Sequence, residues 1–133
     1  MPVRFQISHT ERTVIGVATG VVTLKDILAF AHELEVQQAL GYRKIIDVMS
    51  GQAMISEIDL AAYGERLHEL PPEKRPYGPI ALVTSQENNA LAQLFAKFTR
   101  EERPAQVFRS IHEARKWLQQ MPTTGWATTK QPK

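Results

Sequence analysis

Apolar and polar residues alternate along the first part of the chain in a pattern that predicts two strands. Residues 3–7 alternate apolar and polar, which is the period of a half-buried strand. In residues 13–19, the positions on each of the two strand faces are apolar or small, as a central strand requires. Because a short turn-like stretch separates them, the two strands are predicted to form an antiparallel hairpin.

Four later segments repeat apolar residues at intervals of three and four, the spacing of helices with one buried face. Each follows a residue that suits a helix N-terminus, namely Thr23, Ser56, Ser85 and Ser110, and Glu113 completes a capping box with Ser110. The predicted buried residues are Leu24, Ile27, Leu28, Ala31, Leu34 and Gln38 in the first helix, Leu60, Tyr63, Leu67 and Leu70 in the second, Leu91, Leu94, Phe95 and Phe98 in the third, and Ile111, Ala114, Trp117 and Leu118 in the fourth.

Short apolar runs between these helices predict strands at residues 44–48, 80–84 and 106–108, with a loop over residues 48–55. The order β-β-α-β-α-β-α-β-α predicts an α/β domain with four helices and a mixed five-stranded sheet, in which a parallel core follows the N-terminal antiparallel hairpin. If sequential strands are neighbours, every helix that connects two parallel strands falls on the same face, although the second and fourth strands are apolar on both faces. Either one helix crosses to the other face, or another subunit covers it.

Composition places this chain among small globular proteins. Its 133 residues, 43% of them hydrophobic, fit a single domain over residues 1–120 with a flexible tail over residues 121–133. The net charge of +2 is spread over interspersed acidic and basic residues, which argues against nucleic acid as a partner. No segment approaches the ~18 apolar residues of a membrane span, and the first residues lack a signal-peptide core. We therefore expect a cytoplasmic protein.

Nothing in the sequence predicts catalysis, and we expect no enzyme activity and no cofactor. There is no cysteine, which excludes disulfides, thiol catalysis and thiolate metal sites. His9, His32, His68 and His112 are scattered without metal-ligand spacing, so no metal site is expected. Asp47, at the end of the third strand, lacks the nucleophile or acid that a general base would need. Phosphate-binding and nucleophile motifs are absent.

Polar residues are predicted to gather where the parallel strands end, which is where open α/β sheets bind ligands. Three of the predicted helix N-termini would direct free N–H groups to this edge, an arrangement that suits a small anion. The candidate ligand-binding residues are Ser50, Gln52, Ser56, Ser85, Gln86 and Ser110. Helix capping alone explains the serines equally well, and the two interpretations stay open.

The outer face of the second helix carries a second candidate surface. Ile58 and Ala62 fall opposite the predicted buried face, beside Glu65. A single exposed isoleucine is common on protein surfaces. Ser56, at the start of this helix, is a candidate phosphorylation site, because the helix dipole would favour a phosphate there, although Glu57 and Asp59 would repel it.

Five segments together resemble a known fold family. They are GVVT at residues 20–23, KIID at 44–47, PIALV at 79–83, LAQLF at 91–95 and VFRSIHEARKWL at 107–118. With them the chain resembles the SpoIIAA-like fold, also called STAS, over about residues 3–119. More closely it is similar to small, uncharacterised bacterial proteins grouped with STAS and CRAL-TRIO domains.

The resemblance implies a non-enzymatic regulatory module that docks an unknown protein partner through the second helix and the loop before it, with Ile58, Ala62 and Glu65 at the contact. Related STAS proteins carry a phosphorylatable serine in an Asp-Ser-Ser-Gly-like segment. Ser56 matches one serine of that segment, but Ile55 and Glu57 replace its neighbours, which disfavours a phosphorylation switch.

Two further alternatives stay open. The likeness to CRAL-TRIO domains implies a lipid-like apolar ligand, which needs a cavity of several hundred Å³, and a chain with four short helices has little room for one. A homodimer is the other alternative, because the predicted sheet is apolar on both faces.

Overall fold

The computed structural model describes residues 3–71, 78–100 and 103–121. The elements follow the predicted order, and their bounds are β1 (Val3–Ser8), β2 (Thr13–Val22), α1 (Leu24–Val36), β3 (Arg43–Ala53), α2 (Glu57–Glu69), β4 (Ile80–Val83), α3 (Asn89–Thr99), β5 (Ala105–Phe108) and α4 (Ile111–Gln119). The α/β class and the element order are therefore confirmed. The flexible tail predicted over residues 121–133 lies outside the described residues except for Met121.

The strands form one sheet in the order β1-β2-β3-β4-β5. β1 and β2 pair antiparallel, and their turn contains Arg12 in the left-handed region at φ 52°. Every other neighbouring pair is parallel. The predicted hairpin and parallel core are thus confirmed.

Helices cover the two faces of the sheet unequally. Phe30 of α1 and Ala96 of α3 pack on the face that carries Ile46, which we call the first face. Ala114 of α4 packs on the opposite, second face beside Ile45. One helix therefore crosses to the second face, as the first of the two sequence alternatives requires.

Arg43 fixes the end of α4. Its Nη1 donates to the carbonyl oxygens of Leu118 and Met121 at 3.2 and 3.3 Å, and its Nη2 donates to Thr13 Oγ1 at 3.1 Å. A cation suits this position because the last carbonyls of a helix have no intrahelical partner. α4 covers only the part of the second face formed by β3, β4 and β5, and Val17 and Val21 of β2 remain 41% and 53% exposed.

Two strands are longer than predicted, and the loop assigned to residues 48–55 is largely wrong. β2 continues to Val22 and pairs in parallel with residues 50–53 of β3, after a register shift between Val17 and Thr19. β4 pairs with β3 only as far as Asp47. The far half of β3 therefore has a strand neighbour on one side only.

Asn88 supplies hydrogen bonds on the other side of β3. Its Nδ2 donates to the Gly51 carbonyl oxygen at 2.8 Å and, more weakly, to that of Val48 at 3.4 Å. Its Oδ1 accepts from the Ala53 N–H at 3.4 Å. In a parallel sheet, one residue donates its N–H to a carbonyl of the neighbouring strand and accepts from the N–H two residues later on that strand. The side-chain amide of Asn88 does the same with Gly51 and Ala53, so it takes the place of one residue of a neighbouring strand.

The start of α3 differs from the prediction for this reason. The helix begins after Asn88, not after Ser85, and the Asn88 side chain makes no capping bond because β3 uses it. The predicted buried residues Leu91, Leu94, Phe95 and Phe98 are only half-buried, whereas Ala92, Ala96 and Thr99 are buried. Small residues lie against the sheet and the large ones pack beside them.

The other helices need smaller corrections. In α1, Leu28 is 38% exposed, Phe30 packs on the sheet, and Gln38 lies beyond the helix end at φ 59°. In α4, Ile111 is exposed although it was predicted to face inward. The predicted caps at Thr23, Ser56 and Ser110 are formed. The capping box predicted at Ser110 with Glu113 is wrong, because only the Ser110 side chain makes its bonds there, and the reciprocal pair is seen at Thr23 with Asp26.

Candidate functional site

Ser50 and Gln52 lie on β3 rather than in a loop. They pair with Thr19 and Val21 of β2. Val22 packs towards α1 with Ile27 and Phe30, so the alternation of a strand turns Val21, and with it Gln52, towards the second face. Both predicted ligand residues are exposed there, on the opposite side of the sheet from α1, α2 and α3.

Three of the four predicted serines have hydroxyl groups that accept hydrogen bonds from nearby backbone N–H groups. Ser56 Oγ accepts from Asp59 at 3.0 Å, and Ser85 Oγ accepts from Asn88 at 3.4 Å. Ser110 Oγ accepts from the N–H groups of His112 and Glu113 at 3.1 and 3.3 Å. Capping and turn formation therefore account for these side chains.

The structure divides the predicted anion-binding residues between the two faces. Ser56 precedes α2 and Ser85 lies before α3, whereas Ser110 precedes α4, which is on the second face with Ser50 and Gln52. Gln86 is exposed in the turn before α3. An anion site at these residues stays a prediction.

α2 is amphipathic as predicted. Leu60, Tyr63 and Leu67 are buried on its inner side. Ile58 is 82% exposed, more than any other large hydrophobic residue in the described part of the chain, and Met54 before the helix is 59% exposed. Ala62 and Glu65 are exposed as well. We call Met54, Ile58, Ala62 and Glu65 the α2 outer surface.

Acidic residues surround the α2 outer surface. Glu57 and Asp59 lie in the first turn of α2, where they also favour the helix through its dipole. Both are exposed, as is Glu69 at the other end of the helix, while Arg66 supplies a positive charge near that end. A phosphate on Ser56 would meet the negative charges of the first turn, so phosphorylation there also stays a prediction.

α2 rests on α3. The ring of Tyr63 stacks on Phe95 with 6.1 Å between centroids and 15° between planes. Gly64 allows Phe98 to approach, since a Cβ at this glycine would lie 3.1 Å from the Phe98 Cβ. Burial raises the pKa of Tyr63 above its usual value. The helix–helix contact holds the outer surface in a defined orientation.

Sequence reasoning missed an apolar cavity of about 130 Å³ between the first face of the sheet and α1, α2 and α3. Its floor comes from β1, β2, β3 and β4, its walls from α1 and α3, and Ile55 and Leu60 line it on the α2 side. Among the residues that the structure describes, Asn88 is the one polar side chain that lines it. Hydrophobic periodicity predicts which faces are buried, not whether they fill the space between them. The sequence feature that could have indicated the cavity is a set of small residues, namely Ala18, Gly51, Ala53 and Ala92.

A buried lysine lies at the opposite end of β3. Lys44 Nζ donates to the carbonyl oxygens of Leu40 and Tyr42 at 2.7 and 2.8 Å. Burial, and secondly the charge of Arg103, lowers the pKa of Lys44 well below its usual value. These two hydrogen bonds tie the segment after α1 to the sheet, so the lysine has a structural role.

Residues that could form a metal site are not grouped anywhere in residues 3–71, 78–100 and 103–121. Within the same ranges no helix has the length and apolar character needed to cross a membrane. The structure therefore offers two features for function, namely the α2 outer surface and the apolar cavity beneath α2.

Comparison with known proteins supports the fold. No family model and no curated protein matches the chain. Among solved structures, the chain is similar to an uncharacterised protein of the DUF3478 family from Shewanella loihica PV-4, described as having a SpoIIAA-like fold. The TM-score is 0.57 and the identity 18%, and the match covers 87% of this chain and 93% of the other. As its sequence predicted, the chain has the SpoIIAA-like fold.

Proposed function

We propose that the protein is a non-enzymatic interaction module that docks a protein partner through the α2 outer surface and the loop before it. The observation that carries this proposal is the exposure of Ile58 at 82% beside Met54 at 59%. Met54 lies in the loop before α2 and Ile58 in the first turn of the helix, so both exposed apolar side chains belong to the segment that we propose docks the partner. Interface centres are typically apolar and poor in charge.

The acidic residues around this surface indicate which charges the partner should carry. Glu57, Asp59 and Glu65 surround the apolar pair, and each is exposed. A complementary partner brings an apolar side chain to Ile58 and lysine or arginine to the rim. The partner is therefore expected to be a protein with a basic surface around an apolar centre. A cytoplasmic location belongs to this proposal, and homodimerisation stays a prediction.

The experiment places a photo-crosslinking amino acid at position 58 and, in a second variant, at position 36. Val36 ends α1 and is 59% exposed, so it is an exposed apolar control on another helix. A partner crosslinked from position 58 and not from position 36 is then purified. Its affinity is measured for the wild type, Ile58→Gln and Val36→Gln.

Ile58→Gln should weaken binding about tenfold, because burying an isoleucine side chain contributes about 1.5–3 kcal/mol and each 1.4 kcal/mol is about tenfold. Val36→Gln should bind as the wild type does. Higher salt should slow association if acidic residues steer the encounter. Equal affinities of both variants and the wild type would overturn docking through α2.

A further inference from the structure

Small residues keep the cavity beneath α2 open. Ala18 and Ala53 contribute methyl groups from β2 and β3, and Ala92 contributes one from α3. Larger rings, such as Phe30 and Phe95, line the walls. Protein interiors usually contain few voids larger than a water molecule, and an unfilled cavity lowers stability in proportion to its volume. A cavity of about 130 Å³ is therefore a candidate binding site.

The lining excludes charged and strongly polar occupants. Within the described part of the chain, Asn88 is the one polar side chain in the wall, and both its amide nitrogen and its oxygen bind the backbone of β3. A charged or hydrogen-bonding group inside the cavity would lose water and gain no partner in exchange. Water is disfavoured too, since a buried water molecule needs two to four polar partners.

Volume limits the size of the occupant. An apolar cavity of about 150 Å³ can bind benzene, whereas sites for drug-sized ligands take about 300–1,000 Å³. The space here therefore fits one aromatic ring or a short branched aliphatic group. A whole long-chain lipid exceeds this volume.

We propose that this cavity is a binding site for a small, neutral, apolar molecule of about the size of one aromatic ring. The site is separate from the α2 outer surface, because Ile55 and Leu60 face the cavity while Met54 and Ile58 face outward. The two proposals can therefore fail independently.

Benzene is the probe, and benzoate is the charged control of similar shape. Binding is followed by the NMR signals of the Ile46 and Leu82 methyl groups, which line the cavity, and by the melting temperature. Benzene should shift these methyl signals in a saturable way and raise the melting temperature. Benzoate should do neither.

A matched pair of variants on α3 locates the bound probe. Ala92→Leu fills the cavity, whereas Ala90→Leu makes the same change at an exposed position two residues earlier. Ala92→Leu should weaken benzene binding at least tenfold, and Ala90→Leu should leave it unchanged. Ala53→Val, which narrows the cavity from β3, should also weaken binding and provides a second test should Ala92→Leu unfold.

Two results would overturn the proposal. The first is wild-type protein that gives no saturable methyl shift with benzene. The second is benzene binding that Ala92→Leu and Ala53→Val leave unchanged while both stay folded. Ile58→Gln should bind benzene like the wild type, so a failure of docking through α2 is distinguishable from a failure of this site.

Discussion

Asn88→Ala removes the side-chain amide that stands in for a strand beside β3. The variant loses one short hydrogen bond, to the Gly51 carbonyl oxygen at 2.8 Å, and two longer ones at 3.4 Å to Val48 and Ala53. A buried backbone group left without a partner costs about 1–3 kcal/mol, and the two longer bonds add little. We expect a loss of about 2–3 kcal/mol in the free energy of unfolding. No capping energy adds to this, because Asn88 makes no side-chain capping bond.

Urea denaturation measures the loss, and hydrogen exchange locates it. Asn89→Ala is the control, since it makes the same change one residue later at the first position of α3, and it should alter stability by less than about 0.5 kcal/mol. Asn88→Asp has the size of asparagine but faces the Gly51 carbonyl with an oxygen, so it should destabilise at least as much as alanine. The Ala53 amide should exchange faster in Asn88→Ala, which removes the oxygen that accepts from it. Equal stabilities of Asn88→Ala and Asn89→Ala would refute this role for Asn88.

Two further predictions concern the opposite end of the sheet. The pKa of Lys44 in the folded protein lies below 10.5, its usual value, which applies to the unfolded chain. At pH values between the two pKa values the unfolded chain binds more protons than the folded protein, so the free energy of unfolding rises with pH. In urea titrations across this range, the wild type should gain stability relative to Lys44→Met as the pH rises, and a constant difference would contradict this. Gly78→Ala should destabilise by about 3 kcal/mol or more, because its Cβ would overlap the Tyr42 backbone oxygen. Gly41→Ala is the control, because an added Cβ at Gly41 meets open space. Equal stabilities of Gly78→Ala and Gly41→Ala would contradict the predicted overlap at Gly78.

Local signals in the sequence predicted most of the fold. The alternation in residues 3–7, the helical spacing and the caps at Thr23, Ser56 and Ser110 all depend on neighbours within one turn or one strand. The fold resemblance was also confirmed. The extension of β3 was missed because it depends on pairing with the end of β2 and on the side chain of Asn88, both of which lie far from it along the chain. No local pattern carries that information.

The candidate site was predicted less completely. The outward position of Ile58, Ala62 and Glu65 followed from helical periodicity. The cavity was missed, because its volume results from how far α1 and α3 stand apart over β3, and spacing along one element does not encode that distance. Burial of Lys44 was missed as well, since its partners are carbonyls of the segment after α1.

The position of α4 has a consequence for synthesis of the chain. Ile45, Ala81 and Val83 are covered by a helix that follows all five strands in the sequence. While a ribosome is still making residues 111–119, these three side chains have no helix to cover them, and exposed sheet surface of this kind promotes aggregation. A nascent chain arrested before Ile111 should therefore bind a general chaperone more strongly than one arrested well after Gln119 has left the exit tunnel.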